Sequence, residues 1–295
     1  MQKKVIITTD SAADFPQDIR EKYGIQRIPL YVTLGERQCR DGVDVFPEDL
    51  YQAYAEQGVC PKTAAASVGD YVDFFRQYTE QGFAVVHISL GAAFSSCAQV
   101  AQMAAQAMPE SEIHTVDSGM VSAALGMLCV QAATLRDEGL PARELAARLE
   151  ERREKIVAYV YLDTLDMVAR GGRVPALTAM AANLLHLHPS ITIQKDGLRM
   201  GKKYRGKSAQ AQRAWLEDAL AALKGTIDPA LVFFLHTTDI APEQYEAMGE
   251  TVREALLPER LAESAVGCTC LSHCGFNCLI LAAMKKRLNF STFLQ

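Results

Sequence analysis

The sequence predicts a two-domain α/β protein, with a mostly parallel sheet in the N-terminal domain and a mixed sheet in the C-terminal one. Three observations point there. Short apolar runs alternate with amphipathic stretches through the first half, as strands and helices do around a parallel sheet. The charged stretch Ala142–Lys155 carries only a thin apolar stripe of Leu145, Leu149 and Ile156 and marks a boundary. Beyond it, Ile191 and Leu198 flank Lys195-Asp196-Gly197, an Asp-Gly hairpin signal that belongs to antiparallel pairing. The 295 residues suit about two domains, here 1–155, Rossmann-like, and 156–295, mixed α/β.

The elements follow in order. Val5–Thr8 is a continuous apolar run and reads as a buried strand, Asp18–Tyr23 as a short helix and Gln26–Leu34 as a second strand. Pro47–Glu56 is a helix with Leu50, Tyr51 and Tyr54 on one face. Ser67 with Asp70 three residues on resembles a capping box and opens the helix Tyr71–Gln81. Phe83–Leu90 is a strand, Gln99–Ala107 a helix, Ile113–Val116 a strand and Val121–Glu138 a long helix stopped by Gly139. The second half gives the strand Val157–Leu162, helices at Asp163–Ala169 and Pro175–Leu185, and strands Ser190–Gln194 and Leu198–Lys203. It closes with the helix Ala209–Leu223, the strand Leu231–His236, the helix Pro242–Leu256 and a strand at Glu263–Cys270.

Composition narrows the function classes. Hydrophobic residues make up 49% and charged residues 22%, an ordinary soluble globular balance. With 30 Lys+Arg against 35 Asp+Glu the net charge is −5, which argues against a nucleic-acid partner and against a polybasic membrane-surface protein. The most apolar stretch, Met120–Leu135, falls short of the ~20 residues of a membrane span, and Val5-Ile6-Ile7 is too short for a signal-peptide core. Eight cysteines in such a chain suit reduced thiols and a cytoplasmic location.

No GxGxxG fingerprint follows a strand, no GxSxG elbow is present, and no stretch is read as a phosphate-binding P-loop. Asp10 closes the first strand as a phosphotransferase aspartate would, but Ala12 stands where a second Asp is needed. Polar residues gather after predicted strands, where ligands sit in open parallel sheets: Thr9-Asp10-Ser11, Ser95-Ser96 and Asp117-Ser118-Gly119, with Thr63 in the loop before the capped helix. For Asp10, Asp117 and Ser67 a cap or turn is the first reading. In Arg170-Gly171-Gly172-Arg173 the glycines allow close backbone approach, and an arginine beside them can face a carboxylate or phosphate. Cys268–Cys278 holds four cysteines and one histidine, but C-x-C-x3-C-x3-C matches no paired C-x2-C framework, so buried small side chains are expected rather than a metal.

Taken together these segments resemble the DegV family over almost the whole chain. Thr8-Thr9-Asp10-Ser11-Ala12-Ala13-Asp14-Phe15-Pro16 is similar to its TDS-x-AD-L-P opening, and Arg40-Asp41-Gly42-Val43-Asp44 to its Y-x-DG-x-D segment. Pro61-Lys62-Thr63…Ser67 resembles the PKTSQPS loop, with Ala64-Ala65-Ala66 in place of SQP. Asp117-Ser118…Leu125-Gly126, Leu162…Leu165…Gly171-Gly172-Arg173-Val174, Pro189, Arg205 and His273-Cys274-Gly275 match further family segments. The SS-x-LSGTYQSA segment departs most: Ser95 takes the LSGT serine, and Ser96, Cys97 and Ala98 replace Gly, Thr and Tyr. Phe276-Asn277 stands for Pro-Gly, and His188 for a lysine.

The resemblance implies a long-chain fatty acid buried between the domains, its carboxylate held by Thr63, Ser95 and His273. It also implies an acyl-binding subunit of a bacterial fatty acid kinase in phospholipid metabolism. Such a subunit offers the carboxylate to a separate ATP-binding subunit, has no cofactor and no activity alone, and uses Arg173, and less so Arg205, for partner docking or phosphate handling. His273 is expected to donate to the head group and to change charge near neutral pH. Two other readings stay open. One is a stand-alone enzyme on a phosphate or acyl substrate, with Asp10 or Ser95 as nucleophile and His273 as base. The other is a metal or redox protein built on the cysteine cluster.

Overall fold

A computed structural model describes residues 3–173, 187–194, 197–237 and 239–286. In chain order its elements begin β1 (Val5–Asp10), α1 (Gln17–Tyr23), β2 (Gln26–Ile28), β3 (Tyr31–Leu34), β4 (Arg37–Arg40), α2 (Pro47–Gln57) and β5 (Lys62–Ala64). They continue α3 (Val68–Thr79), β6 (Ala84–Ser89), α4 (Cys97–Gln106), β7 (Ile113–Asp117), α5 (Ser122–Asp137), α6 (Ala142–Arg153), β8 (Ile156–Tyr161) and α7 (Asp166–Gly171). The remainder is β9 (Leu187–Gln194), β10 (Gly197–Arg205), α8 (Ser208–Leu223), β11 (Ile227–His236), α9 (Pro242–Leu256), β12 (Leu261–Ala265), α10 (Cys268–Cys274) and β13 (Leu279–Lys285).

Three sheets result. The first is wholly parallel, in the order β2-β1-β6-β7, with Ile7 opposite Val86 and Val85 opposite Ile113. Its central strands β1 and β6 are buried without alternation because helices cover both faces. The second is mixed, β10-β9-β8-β13-β11-β12, antiparallel except where β12 runs parallel to β11. The third is a small antiparallel sheet, β4-β3-β5. One core runs from Ile7 and Val86 of the parallel sheet through Leu125 and Leu128 of α5 to Val160 and Ile280 of the mixed sheet. Helix α5 is buried along nearly its whole length because it packs against both β1 and β13. A second core around Trp215, Phe234 and Val252 covers the far face of the mixed sheet.

The α/β class, the parallel first sheet and the mixed second one agree with the sequence reading. The capping box is present: Asp70 N–H donates to Ser67 Oγ, and Ser67 N–H to the Asp70 carboxylate. Gly139, at φ +89°, follows α5 as the stop signal predicted. Three readings are corrected. Gln26–Leu34 is two strands in two sheets, because Pro29 offers no N–H to continue a ladder and the chain turns there from β1 to its new partners. Glu263–Cys270 is strand only to Ala265; from Cys268 the chain is the helix α10. The strands β4, β5 and β13 were not anticipated, and β13 lies at the centre of the mixed sheet. The expected helix Pro175–Leu185 and the turn at Lys195-Asp196 lie outside the described residues.

Candidate functional site

Between the parallel and mixed sheets lies a cavity of about 350 Å³, within the range of small-molecule sites. Its wall is mainly apolar. Val160, Leu162, Ile191 and Ile193 come from β8, the residue after it, and β9, and Leu30, Leu90 and Phe94 face them from the N-terminal half. Thr63, Ser95 and His273, remote in sequence, all line it, as do Ser122, Thr269 and Arg173.

Each polar side chain has its own support. Thr63 is the middle residue of β5 and pairs with Val32, so the small sheet fixes its direction. Ser95 sits in the turn from β6 into α4, where its hydroxyl accepts the Cys97 N–H at 3.3 Å and lies 3.0 Å from the Cys97 sulfur. His273 stands in the last turn of α10, and its Nε2 makes a 2.7 Å hydrogen bond with Thr63 Oγ1. That bond joins residues 210 positions apart and is the central geometric fact of the site.

Helix α10 is short, and nothing in its own sequence would make it stable alone. Two buried carboxylates hold its N-terminus. Asp41, 5% exposed, accepts the N–H groups of Cys268 and Thr269 at 3.0 and 3.1 Å, the Thr269 hydroxyl at 2.6 Å and the Ser11 hydroxyl at 2.9 Å. Asp14 accepts Gly267 N–H at 2.8 Å and the Ser122 hydroxyl at 2.7 Å. Carboxylates suit this end of a helix because its first N–H groups lack intrahelical partners. Burial pushes the Asp14 carboxyl up to about 6 despite these hydrogen bonds.

The paired glycines serve the same histidine. A Cβ on Gly171 would come within 2.5 Å of His273 Nδ1, so only glycine lets the ring in; Gly172, at φ +66°, ends α7 in the left-handed region. Burial, and secondarily the Arg173 guanidinium, push the His273 imidazole down to about 4. The ring is therefore neutral at pH 7, and the expectation that it changes charge near neutrality is corrected. Its Nδ1 is buried against Gly171 without a hydrogen-bond partner.

Other candidate residues fall elsewhere. Arg173 is exposed at the cavity and donates to Gly171 O at 2.7 Å. Arg205 ends β10, exposed, and is not among the residues lining the cavity. Asp10 is not a helix cap: it is fully buried, takes the Tyr71 hydroxyl at 2.5 Å and Leu90 N–H at 2.6 Å, and ties β1 to the end of β6. Asp117 is a turn residue, accepting Ala92 and Gly119 N–H, each at 3.0 Å. In the cysteine cluster the thiols face main-chain carbonyls, Cys268 that of Val45 and Cys270 that of Ala12. Burial pushes both well above the ordinary thiol range, and among the described residues no group of His, Cys, Asp or Glu is arranged to hold a metal ion.

One stretch escaped the sequence reading. Gly201-Lys202-Lys203-Tyr204-Arg205-Gly206-Lys207-Ser208 spells the letters of a P-loop, GxxxxGK[ST]. Residues 201–205 are strand, with Lys203, Tyr204 and Arg205 paired to β9, and the Ser208 hydroxyl donates to Asp163. A P-loop needs those residues as a loop whose N–H groups converge on phosphate, so the match is one of letters alone. Sequence reasoning also missed Asp14, Asp41 and Ser122. Asp14 and Asp41 stand in segments quoted for the family resemblance, but their hold on α10 is visible only in the fold, as is Ser122 at φ +55° with its N–H on Ala12 O.

The fold and cavity define an α/β protein with a mainly apolar cavity between its two large sheets, whose polar lining includes hydroxyls and one imidazole. Residues 4–286 match the model of the DegV family, described as an uncharacterised protein family, and the chain belongs to that family. A DegV domain-containing protein of Streptomyces coelicolor is 30% identical over 256 residues, covering 86% of this chain and 88% of that one. Among solved structures, a fatty-acid-binding DegV family protein from Thermus thermophilus is 27% identical, with a TM-score of 0.84 over 97% of this chain and 100% of the other. A DegV lipid-binding protein from Thermotoga maritima is 26% identical, with a TM-score of 0.81 over 96% and 98%. A stearic-acid-binding protein from Eubacterium ventriosum is 25% identical, with a TM-score of 0.82 over 97% and 99%. No helix among the described residues is long and apolar enough to cross a membrane.

Proposed function

We propose that this protein binds a long-chain fatty acid between a lobe of residues 1–155 and a lobe of residues 156–295. In this reading Thr63, Ser95 and His273 hold the carboxylate, and the cytoplasmic protein presents it to a separate ATP-binding kinase subunit for conversion to an acyl phosphate. The observation that carries the reading is the Thr63–His273 hydrogen bond, with Ser95 in the same lining, in a mainly apolar cavity. The fatty acids bound by the solved relatives support it.

The energetics divide the work. A tail of ~15 methylenes gives roughly 12 kcal/mol gross at ~0.8 kcal/mol each, and association and ordering cost several kcal/mol of that. Hydrogen bonds to an ionised head add about 1.5–3 kcal/mol each. The tail supplies affinity, and the three polar side chains supply orientation. Neutral donors leave the carboxylate oxygen nucleophilic, where a bidentate arginine clamp would hold it. Arg173 at the cavity would then meet the phosphoryl group, whose charge the hydroxyls cannot neutralise. Stand-alone chemistry has less support: Asp10 is buried away from the cavity, and His273 is bonded to Thr63 rather than to Ser95.

Native mass spectrometry of the protein as purified, and titration of the delipidated protein with palmitate and oleate, test the binding. Absence of both a co-purifying acid and measurable binding would sink it. The partner is tested by acyl-phosphate formation from palmitate, ATP and Mg²⁺. Product should form with the ATP-binding subunit present and not with this protein alone, and His273→Ala should lower turnover more than binding.

A further inference from the structure

Ser95 can act as a donor to an anion only if its single proton faces the cavity. A serine hydroxyl has one proton and two lone pairs, and an unrestrained one rotates to suit any neighbour. Here Cys97, the first residue of α4 and fully buried, meets that oxygen twice, by its N–H at 3.3 Å and by its sulfur at 3.0 Å. The N–H can only donate. Sulfur is a weak acceptor beside a carboxylate oxygen, so with an anion in the cavity the serine proton goes to the anion and the thiol proton to the serine.

The surroundings keep that thiol proton in place. In the same layer the Tyr71 hydroxyl gives its proton to the buried Asp10 carboxylate at 2.5 Å. Burial and the nearby Asp10 charge push the Cys97 thiol up to about 12, so it remains S–H throughout the physiological range. When the Cys97 N–H and S–H both engage Ser95 Oγ, both of its lone pairs are occupied and its own proton is free for a ligand in the cavity.

We propose that Cys97 is a positioning residue for head-group recognition: its thiol and main-chain N–H fill the two lone pairs of Ser95 and make that serine a one-way donor, favouring an anionic carboxylate over the uncharged ester of the same chain. The proposal rests on the fatty-acid reading above and concerns which head group is selected.

The test measures palmitate and methyl palmitate binding to the delipidated protein, for wild type, Cys97→Ala, Cys97→Val, Cys97→Ser, Ser95→Ala and the double variant Ser95→Ala/Cys97→Ala. Loss of the thiol donor should weaken palmitate about 5–10-fold, the size of one lost charge-assisted orientation, and leave methyl palmitate within about 2-fold. Cys97→Ser, which keeps an O–H donor, should restore the acid-to-ester ratio. The double variant should be no weaker for palmitate than Ser95→Ala. An unchanged ratio in both Cys97→Ala and Cys97→Val, or equal losses of acid and ester, would overturn the proposal while leaving fatty-acid binding intact. If Cys97→Ala does not fold, Cys97→Val, close in volume and without the donor, decides by the same ratio. Failure of wild type to bind either lipid is a different result and removes the underlying reading with it.

Discussion

Ser95 and His273 line the same cavity but are held in opposite ways. Ser95 is fixed by Cys97, its neighbour two residues on, within the parallel-sheet layer to which it belongs. His273 is fixed by residues far away in the chain: Thr63 on its ring, and Asp41 and Asp14 on the N-terminus of its helix, 227 and 253 positions from the N–H groups they accept. The first support is local and forms with its own layer. The second exists only when the N-terminal half and α10 are docked. One half of the site is therefore as stable as a sheet edge, and the other only as stable as an interface.

Breaking the distant support should cost most. Asp41→Ala leaves two main-chain N–H groups and two hydroxyls without their acceptor, and a loss of about 4 kcal/mol in unfolding free energy is expected, with loss of palmitate binding. Urea denaturation alongside lipid titration measures both; a change below about 1 kcal/mol would show that α10 is held by something else.

Gly171→Ala should come next. The new methyl runs into His273, so the ring must leave Thr63 or α7 must shift, at about 1–3 kcal/mol. A crystal structure of the variant should show either the 2.7 Å bond broken or α7 displaced, and an intact bond with α7 in place would contradict the argument.

The Asp14 carboxyl gives a smaller, pH-dependent effect. Its value of about 6 lies above the model-peptide value of 3.8, so the folded state binds the proton more tightly than the unfolded one. Its contribution to stability is therefore complete below the unfolded value and is lost as pH rises through about 6. Wild type should gain about 1 kcal/mol over Asp14→Asn between pH 7 and pH 5. His273, pushed down to about 4, acts with the opposite sign, and the comparison with Asp14→Asn separates the two. A parallel pH profile for the two proteins would contradict the assignment.

Arg173→Ala should have the least effect on binding, with palmitate affinity within about 2-fold because the tail supplies most of it. The same change should raise the His273 value, since Arg173 is one cause of its depression, and ¹⁵N NMR of the imidazole reads this directly.

The asymmetry also explains what could be read from the sequence. The parallel sheet, the Ser67 cap and the Gly171-Gly172 approach are local patterns, and each is found in the fold as the residues suggest. Helix α10 was read as the end of a strand because Cys268-Thr269-Cys270 has no helical signature; its helicity comes from Asp41, which no local window contains. The run Leu279-Ile280-Leu281-Ala282-Ala283-Met284 suits a buried strand and a buried helix equally, and only its place between β8 and β11 decides. The P-loop letters at Gly201–Ser208 show the converse, a local pattern whose meaning pairing with β9 removes.

The central position of β13 sets an order of events during synthesis. A ribosome adds roughly 5–20 residues per second and releases the N-terminal part first. The parallel sheet can assemble while the rest is still being made, since its last strand ends at Asp117. The mixed sheet cannot close, because the strand between β8 and β11 ends at Lys285. The helix bearing His273 comes just before that strand, so the nascent chain carries Asp14 and Asp41 without their partners until residues 267–269 have been made. The cavity is therefore complete only after residues 279–285 have been made, and a chain cut off before residue 279 would have Ser95 and Thr63 but no closed second sheet to complete the cavity around them.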